Sequence, residues 1–259
     1  MLVAALQMRP AGSVEANLAR IDKAAKSAAG FGVNLLVTPE MGATGYAIWD
    51  SIPRLAEGRD GPIVESLRKT SLAYNIAIVA GFPERDRDFV YNSAVIVQPD
   101  GTQRFYRKCH LFGPLEKSAF AVGSSHPPIV SIDGMRASML ICYDVEFPEM
   151  VRSAVLAGAE ILMVPTALPK GAPANRVSKS MVPSRAFENH VFIIYAGLCG
   201  EENGTRYQGG SVIVGPDGED LARAGAAEAL LVTEIDQSRF ESAKLDPYLD
   251  DRRPNLYHL

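Results

Sequence analysis

The sequence predicts an α/β protein in which short buried strands alternate with amphipathic helices from end to end. Three observations carry that reading. Segments of strand length, such as Val3 to Met8, Ile76 to Gly81 and Ile161 to Val164, are apolar nearly throughout rather than at every second position. Strands of that kind have layers packed on both faces. Between them, apolar residues recur at helical spacing, as in Val14, Leu18, Ile21 and Ala25. No linker, low-complexity tract or charge block interrupts the alternation, so residues 1–259 read as a single domain.

The first strand, Val3 to Met8, is followed by a helix for which Ser13 is a suitable N-cap and Glu15 a favourable first-turn acid. Asn34 to Thr38 is the second strand, closed by Pro39-Glu40. A helix over Ile63 to Tyr74 leads to the strand Ile76 to Gly81. Tyr91 to Val97 and Thr102 to Lys108 form a hairpin around the turn tripeptide Pro99-Asp100-Gly101. Ile129 to Ile132 and Met135 to Ile141 repeat the arrangement around Asp133-Gly134. Pro148 opens a helix that Gly158 closes. Then come the strand Ile161 to Val164, a helix near Met181 to Asn189 and the strand Val191 to Ala196. Ser211 to Val214 and Glu219 to Ala224 flank a second Pro-Asp-Gly turn, Pro216 to Gly218, and Leu230 to Ile235 is the last strand. The tail 246–259, rich in charge and aromatics, reads as an arm that docks on something, a partner subunit being one choice.

Composition excludes several functions. With 259 residues, 47% of them hydrophobic, the chain can bury a sizeable core. A net charge of −4 argues against nucleic acid or an anionic membrane as the main partner, since both call for a basic face. No apolar run approaches the roughly 20 residues of a membrane helix. The apolar N-terminus, Met1 to Leu6, lacks the basic start and cleavage site of a secretory leader. Cys109, Cys142 and Cys199 are odd in number and fit no disulfide framework, which predicts a reducing, cytoplasmic setting. The four histidines show no metal-ligand spacing, and neither a Gly-x-Ser-x-Gly elbow nor a phosphate loop is present. No metal and no cofactor are expected.

Three polar residues stand where predicted strands end: Glu40 after Leu35 to Pro39, Lys108 after Phe105 to Arg107, and Cys142 after Met139 to Ile141. In α/β sheets ligands bind just beyond the carboxyl ends of strands. Taken singly each residue has an ordinary explanation: a strand-end cysteine usually packs into the core, and a strand-end glutamate or lysine is usually solvated. The combination is what points to one site. Around Cys142 an apolar strand stops, the thiol appears and a helix begins at Pro148, an elbow that exposes sulfur beside backbone N–H groups able to bind an oxyanion. Alternation along a strand turns Cys109 away if Lys108 faces the site. Cys199 and His110 read as structural.

These segments carry a family resemblance. Val37-Thr38-Pro39-Glu40-Met41, then Tyr106 to Gly113, then Cys142-Tyr143-Asp144-Val145-Glu146-Phe147-Pro148-Glu149 match, in order, the three signature motifs of the nitrilase superfamily of carbon–nitrogen hydrolases. Gly45-Tyr46 and the terminal Asp251 to Tyr257 also fit, so the chain resembles the family over nearly its whole length. The resemblance implies a four-layer α-β-β-α sandwich of two mixed sheets, of which the paired Pro-Asp-Gly hairpins are a faint echo. It implies a triad of Glu40 as general base, Lys108 as charge stabiliser and Cys142 as nucleophile, with Glu116 at the place of a second active-site glutamate. It also implies pairing of subunits, for which the helices after Pro148 and near Met181 to Asn189 are the candidate faces.

Within the family, Cys142-Tyr143-Asp144 looks like the amidase-type branches, and Val145-Glu146-Phe147 replaces the basic pair and Trp often seen in carbamoyl-specific members. The expected reaction is hydrolysis of a small carboxamide to an acid and ammonia through a thioester. A nitrile or N-carbamoyl amine hydrolase of the same fold is the alternative, and a non-catalytic scaffold or thiol-based binding protein the third reading. Tyr46, Phe120 and Ala167 are candidates for the pocket wall, each equally explicable as packing. The backbone N–H of Tyr143 is an oxyanion donor by this reading. Glu146 either senses an amine on the substrate or forms a buried structural pair.

Overall fold

A computed structural model of the protein describes residues 1–243 and 247–257. Of the expected C-terminal arm, residues 246, 258 and 259 lie outside the described residues. The first half of the chain forms β1 (Leu2–Gln7), α1 (Val14–Gly30), β2 (Leu35–Val37), α2 (Ile52–Leu55), α3 (Pro62–Tyr74), β3 (Ala77–Asp86), β4 (Phe89–Val97) and β5 (Gln103–Arg107). It continues through α4 (Gly113–Ala119), β6 (Ile129–Ile132), β7 (Met135–Met139), α5 (Pro148–Leu156), β8 (Ile161–Thr166), α6 (Ala172–Arg176) and α7 (Val182–Asn189). The remainder is β9 (Phe192–Gly197), β10 (Glu201–Glu202), β11 (Thr205–Arg206), β12 (Val212–Val214), β13 (Asp220–Arg223), β14 (Ala229–Glu234) and α8 (Gln237–Ala243).

Local chemistry sets the helix ends. The Ser13 hydroxyl accepts from the Ala16 N–H at 3.2 Å and caps α1. Pro62 and Pro148 occupy first turns, where no N–H is needed. Asn75 and His190, both left-handed, end α3 and α7.

Two six-stranded mixed sheets result, ordered β14-β1-β2-β3-β4-β5 and β6-β7-β8-β9-β12-β13. Their pairing patterns are the same. In each, one antiparallel outer strand meets three parallel strands, which meet two further antiparallel strands. Each Pro-Asp-Gly turn joins the last pair, β4 to β5 and β12 to β13. The two halves differ in the source of the outer strand: β6 immediately precedes β7, whereas β14 comes from the far end of the chain to pair with β1.

The sheets face each other. Val3, Ala5, Leu35, Val37, Val79 and Ile96 point inward and share one buried cluster with Met139, Met163, Ile194 and Ile213 of the other sheet. The alternate residues Ala4, Leu36, Ile78 and Val95 face Ile21, Ala25, Ile63 and Leu67 of α1 and α3. On the other outer side lie Val151 and Ala154 of α5 and Val182 and Ala186 of α7. The architecture is the α-β-β-α sandwich that the motifs implied. Period-two alternation is invisible in these strands because both faces are apolar.

Candidate active site

Glu40 stands three residues beyond β2, on a turn pressed against the neighbouring strand. The Thr38 N–H bonds the Val79 carbonyl at 2.9 Å and the Ala43 N–H bonds the Gly81 carbonyl at 3.1 Å. Met41, left-handed at φ 52°, turns the chain sharply after the glutamate. Gly81 permits the approach: a Cβ there would lie 2.3 Å from the Met41 nitrogen and 2.9 Å from the Glu40 Cα.

Lys108 follows β5. Its N–H bonds the Asn92 carbonyl at 2.9 Å, while the Asn92 side-chain amide donates to Glu40 Oε1 at 2.7 Å. One β4 residue therefore holds both partners. Lys108 Nζ lies 2.7 Å from Glu40 Oε1 and 2.7 Å from Glu116 Oε1. Glu116, in the first turn of α4, also accepts from the Tyr46 hydroxyl at 2.6 Å and from the Phe112 N–H at 2.7 Å. The turn bearing Tyr46 is itself tied down, because Glu202 accepts from the N–H groups of Tyr46 and Ala47 at 2.9 and 2.7 Å.

Cys142 begins a tight turn of helix, Cys142–Glu146, just past β7. Its φ of 45° is uncommon for a residue with a side chain. Such backbone costs about 1–3 kcal/mol and persists where the surroundings enforce it. Here Asp144 is a large part of the enforcement. Fully buried, it accepts from the Ile141 N–H at 3.2 Å, the His110 N–H at 2.9 Å and the Tyr106 hydroxyl at 2.9 Å, and contacts His110 Nδ1 at 2.8 Å. One carboxylate thus joins the residue before Cys142 to the loop after Lys108. The Cys142 sulfur lies 3.0 Å from Thr166 Oγ1, and Thr166 Oγ1 lies 2.9 Å from the Tyr195 hydroxyl.

Register explains Thr166. β1 pairs β2 through Val3 and Leu35, and β7 pairs β8 through Ala137 and Ile161. β8 holds in the second sheet the place of β2 in the first, and Thr166 is its last residue, paired with Gly197 of β9. Thr166 thus meets the sulfur from the strand beside β7, which leads to Cys142, within the same sheet.

The site is closely sealed. Glu40 and Glu116 are 0% exposed, Lys108 1% and Cys142 6%. A surface hollow of about 530 Å³ between α1 and β14 holds none of these residues. Burial dominates the electrostatics. It pushes the Glu40 carboxyl above its ordinary range, and the nearby Glu116 adds to this, while Lys108 and the Asn92 amide oppose it. Burial and Glu40 push the Cys142 thiol up against the pull of Lys108, Thr166 and the Ala167 N–H. Burial alone would depress the Lys108 ammonium, but the charges of Glu40, Cys142 and Glu116 outweigh it and hold it above the usual lysine range. Burial thus favours the neutral thiol over the thiolate and raises the affinity of the neighbouring Glu40 carboxyl for protons. Glu40 Oε2 and Asn92 Oδ1 are buried without a partner among the described residues. Two of the three Lys108 donors are used within the site.

Of the residues singled out in the sequence, Glu40, Lys108, Glu116, Cys142, Tyr46 and Ala167 come together. Phe120, at the end of α4, is buried in the cluster that contains Tyr46, Leu111 and Ala167. The Tyr143 ring packs edge-on to Phe112 and Phe147, at 5.2 and 5.0 Å between centroids. Glu146 is half-buried and makes no ion pair among the described residues. Cys109 turns away, its sulfur 3.6 Å from the carbonyls of Arg107 and Ser125, and Cys199 is fully buried. Asn92, Asp144, Thr166 and Tyr195 were not singled out as site residues. Their signal was present: each is a polar group in or just beyond an apolar strand, the feature that marked Glu40.

The family described as carbon-nitrogen hydrolase matches residues 2–245. A hydrolase encoded in the pqqF 5′ region of Pseudomonas protegens is 43% identical over 94% of this chain and 86% of its own. An (R)-stereoselective amidase from a Pseudomonas species is 34% identical over 93% and 87%. A solved amidase from Nesterenkonia sp. AN1, described with acrylamide joined to its active-site cysteine by Michael addition, is 36% identical. It covers 99% of this chain and 98% of its own, with a TM-score of 0.89. This chain belongs to the carbon–nitrogen hydrolase family, within the nitrilase superfamily, and is an enzyme acting on C–N bonds other than peptide bonds.

Proposed function

We propose that the enzyme hydrolyses a small carboxamide to its carboxylic acid and ammonia, with Cys142 as nucleophile, Glu40 as general base and acid, and Lys108 as oxyanion stabiliser. The observation that carries this reading is one sealed cluster in which Lys108 bridges Glu40 and Glu116 beside the Cys142 sulfur. The sulfur attacks the amide carbon as its proton passes to the unpartnered Oε2 of Glu40. Negative charge develops on the carbonyl oxygen, where Lys108 and the Tyr143 N–H receive it. Collapse breaks the C–N bond, and the departing nitrogen takes the proton from Glu40 as ammonia. Water, deprotonated by Glu40, then attacks the Cys142 thioester and releases the acid and the thiol. Glu116 and Asn92 hold Lys108 and Glu40 in register, and Thr166 donates to the thiolate. The near-complete burial of the site favours a small substrate, walled by Tyr46, Phe120 and Ala167.

The chain acts in this reading as a single catalytic domain and as a homo-oligomer. Three free cysteines fit a cytoplasmic setting. A panel of simple amides, nitriles and N-carbamoyl amines, assayed for ammonia and carbon dioxide, tests the assignment. Ammonia from amides without carbon dioxide is expected. Turnover confined to nitriles or to carbamoyl compounds, or no turnover with Cys142 intact, would overturn it.

A further inference from the structure

Glu146 ends the turn that Cys142 begins. Its carboxylate is half-buried and, among the described residues, makes no hydrogen bond and no ion pair. Three electrostatic neighbours surround it. Burial raises the Glu146 carboxyl against the charges of Lys108 and Arg185, and the Glu146 charge acts on the Tyr195 hydroxyl. Lys108 bridges the two active-site glutamates, and Tyr195 reaches the Cys142 sulfur through Thr166. Glu146 thus stands four residues after the nucleophile on the same turn, within electrostatic reach of Lys108 and Tyr195.

The cations that could neutralise Glu146 are already engaged. Lys108 is bound to Glu40 and Glu116. Arg185 is paired with Glu188 at 3.0 Å and donates to the backbone carbonyls of Val145 and Glu146 at 3.2 and 2.9 Å. Three carboxylates thus face one ammonium, and the one guanidinium that acts on Glu146, that of Arg185, is already paired with Glu188. A partly desolvated carboxylate without a partner is unfavourable, and a ligand cation relieves that penalty, whereas a ligand anion deepens it.

We propose that Glu146 sets substrate specificity, and that the enzyme takes small carboxamides bearing an ammonium group close to the amide, amino-acid amides being the simplest. This rests on the amidase reading above.

Glycinamide, propionamide and malonamate provide the test. They place an ammonium, a methyl and a carboxylate at the same position relative to the amide, and near pH 7 glycinamide is mostly protonated. The ammonium also makes the carbonyl more electrophilic, so the informative quantity is the change in a ratio. The ratio of kcat/KM for glycinamide to that for propionamide should fall about tenfold or more in Glu146→Gln, and malonamate should be the poorest substrate of the wild type. An unchanged ratio in a folded variant would overturn the assignment while leaving the amidase reading intact. Failure to hydrolyse any of the three would instead count against that reading. If Glu146→Gln does not fold, the wild type still decides. Ethylammonium should inhibit propionamide hydrolysis competitively where ethanol does not, and equal inhibition by the two would refute the role of Glu146.

Discussion

At the scale of single residues, the site depends on protons being held where water would not leave them. Glu40 is raised by burial, so its base form is reached only as pH climbs past the ordinary carboxylate value of 4.5. The acid limb of a kcat/KM profile should therefore show an apparent pKa above 4.5. Lys108 is raised as well, so the ammonium persists through the alkaline range and should contribute no alkaline limb below the ordinary lysine value of 10.5. An acid limb at or below 4.5 would contradict the assigned base. Thr166 supplies a separate test. Tyr195 and Thr166 share a hydrogen bond, and if the tyrosine proton occupies it, the Thr166 proton points at sulfur. A hydrogen bond to a charged acceptor is worth about 1.5–3 kcal/mol. Thr166→Val should lower kcat/KM about 10- to 100-fold and slow alkylation of Cys142, and Thr166→Ser should restore most of both. Equal rates for all three proteins would remove Thr166 from the chemistry.

At the scale of elements, the strand ends do the positioning, and a close backbone contact fixes the most demanding of them. Gly81 on β3 lets the Glu40 turn lie against the strand with no side chain between. Gly81→Ala would force Glu40 and Met41 outward, at an overpacking cost of about 1–3 kcal/mol. The displacement should reduce kcat about a hundredfold. Thermal unfolding and kinetics on one preparation check both effects, and wild-type activity in the variant would contradict the contact. Much of this scaffold was legible beforehand. The Ser13 cap, the bounds of β6 and the start of α5 at Pro148 are local signals that the structure bears out. Other elements were not. β3 runs on to Asp86, past the expected end at Gly81, because β4 pairs with it through Asp86 and Phe89 and because Arg59 and Arg107 neutralise the buried Glu84. α4, which carries Glu116, was missed because seven residues with a buried glutamate show no apolar period.

At the scale of the whole molecule, the site exists because two similar sheets meet face to face. Glu40 and Lys108 come from one sheet, and Cys142 and Thr166 from the other. The motif order could point to Glu40, Lys108 and Cys142, but only the packing of the sheets reveals Asp144 as the link between Ile141 and His110. The outer surface makes its own prediction. Leu156 on α5 and Phe187 on α7 are 56% and 40% exposed, and Phe187 meets Tyr248 edge-on at 5.5 Å. Large apolar groups on those helices suit a subunit contact. Sedimentation should show an oligomer that Phe187→Glu shifts toward single chains. A wild type sedimenting as one chain would contradict it.

The central claim is that Cys142 carries the acyl group during turnover. Acid-quenched mass spectrometry of the enzyme mixed with a small amide tests it most directly. The expected result is a mass increase equal to the acyl group, on the peptide containing Cys142 and absent from Cys142→Ala. An adduct on Cys109 or Cys199, or undiminished turnover by Cys142→Ala, would contradict the account.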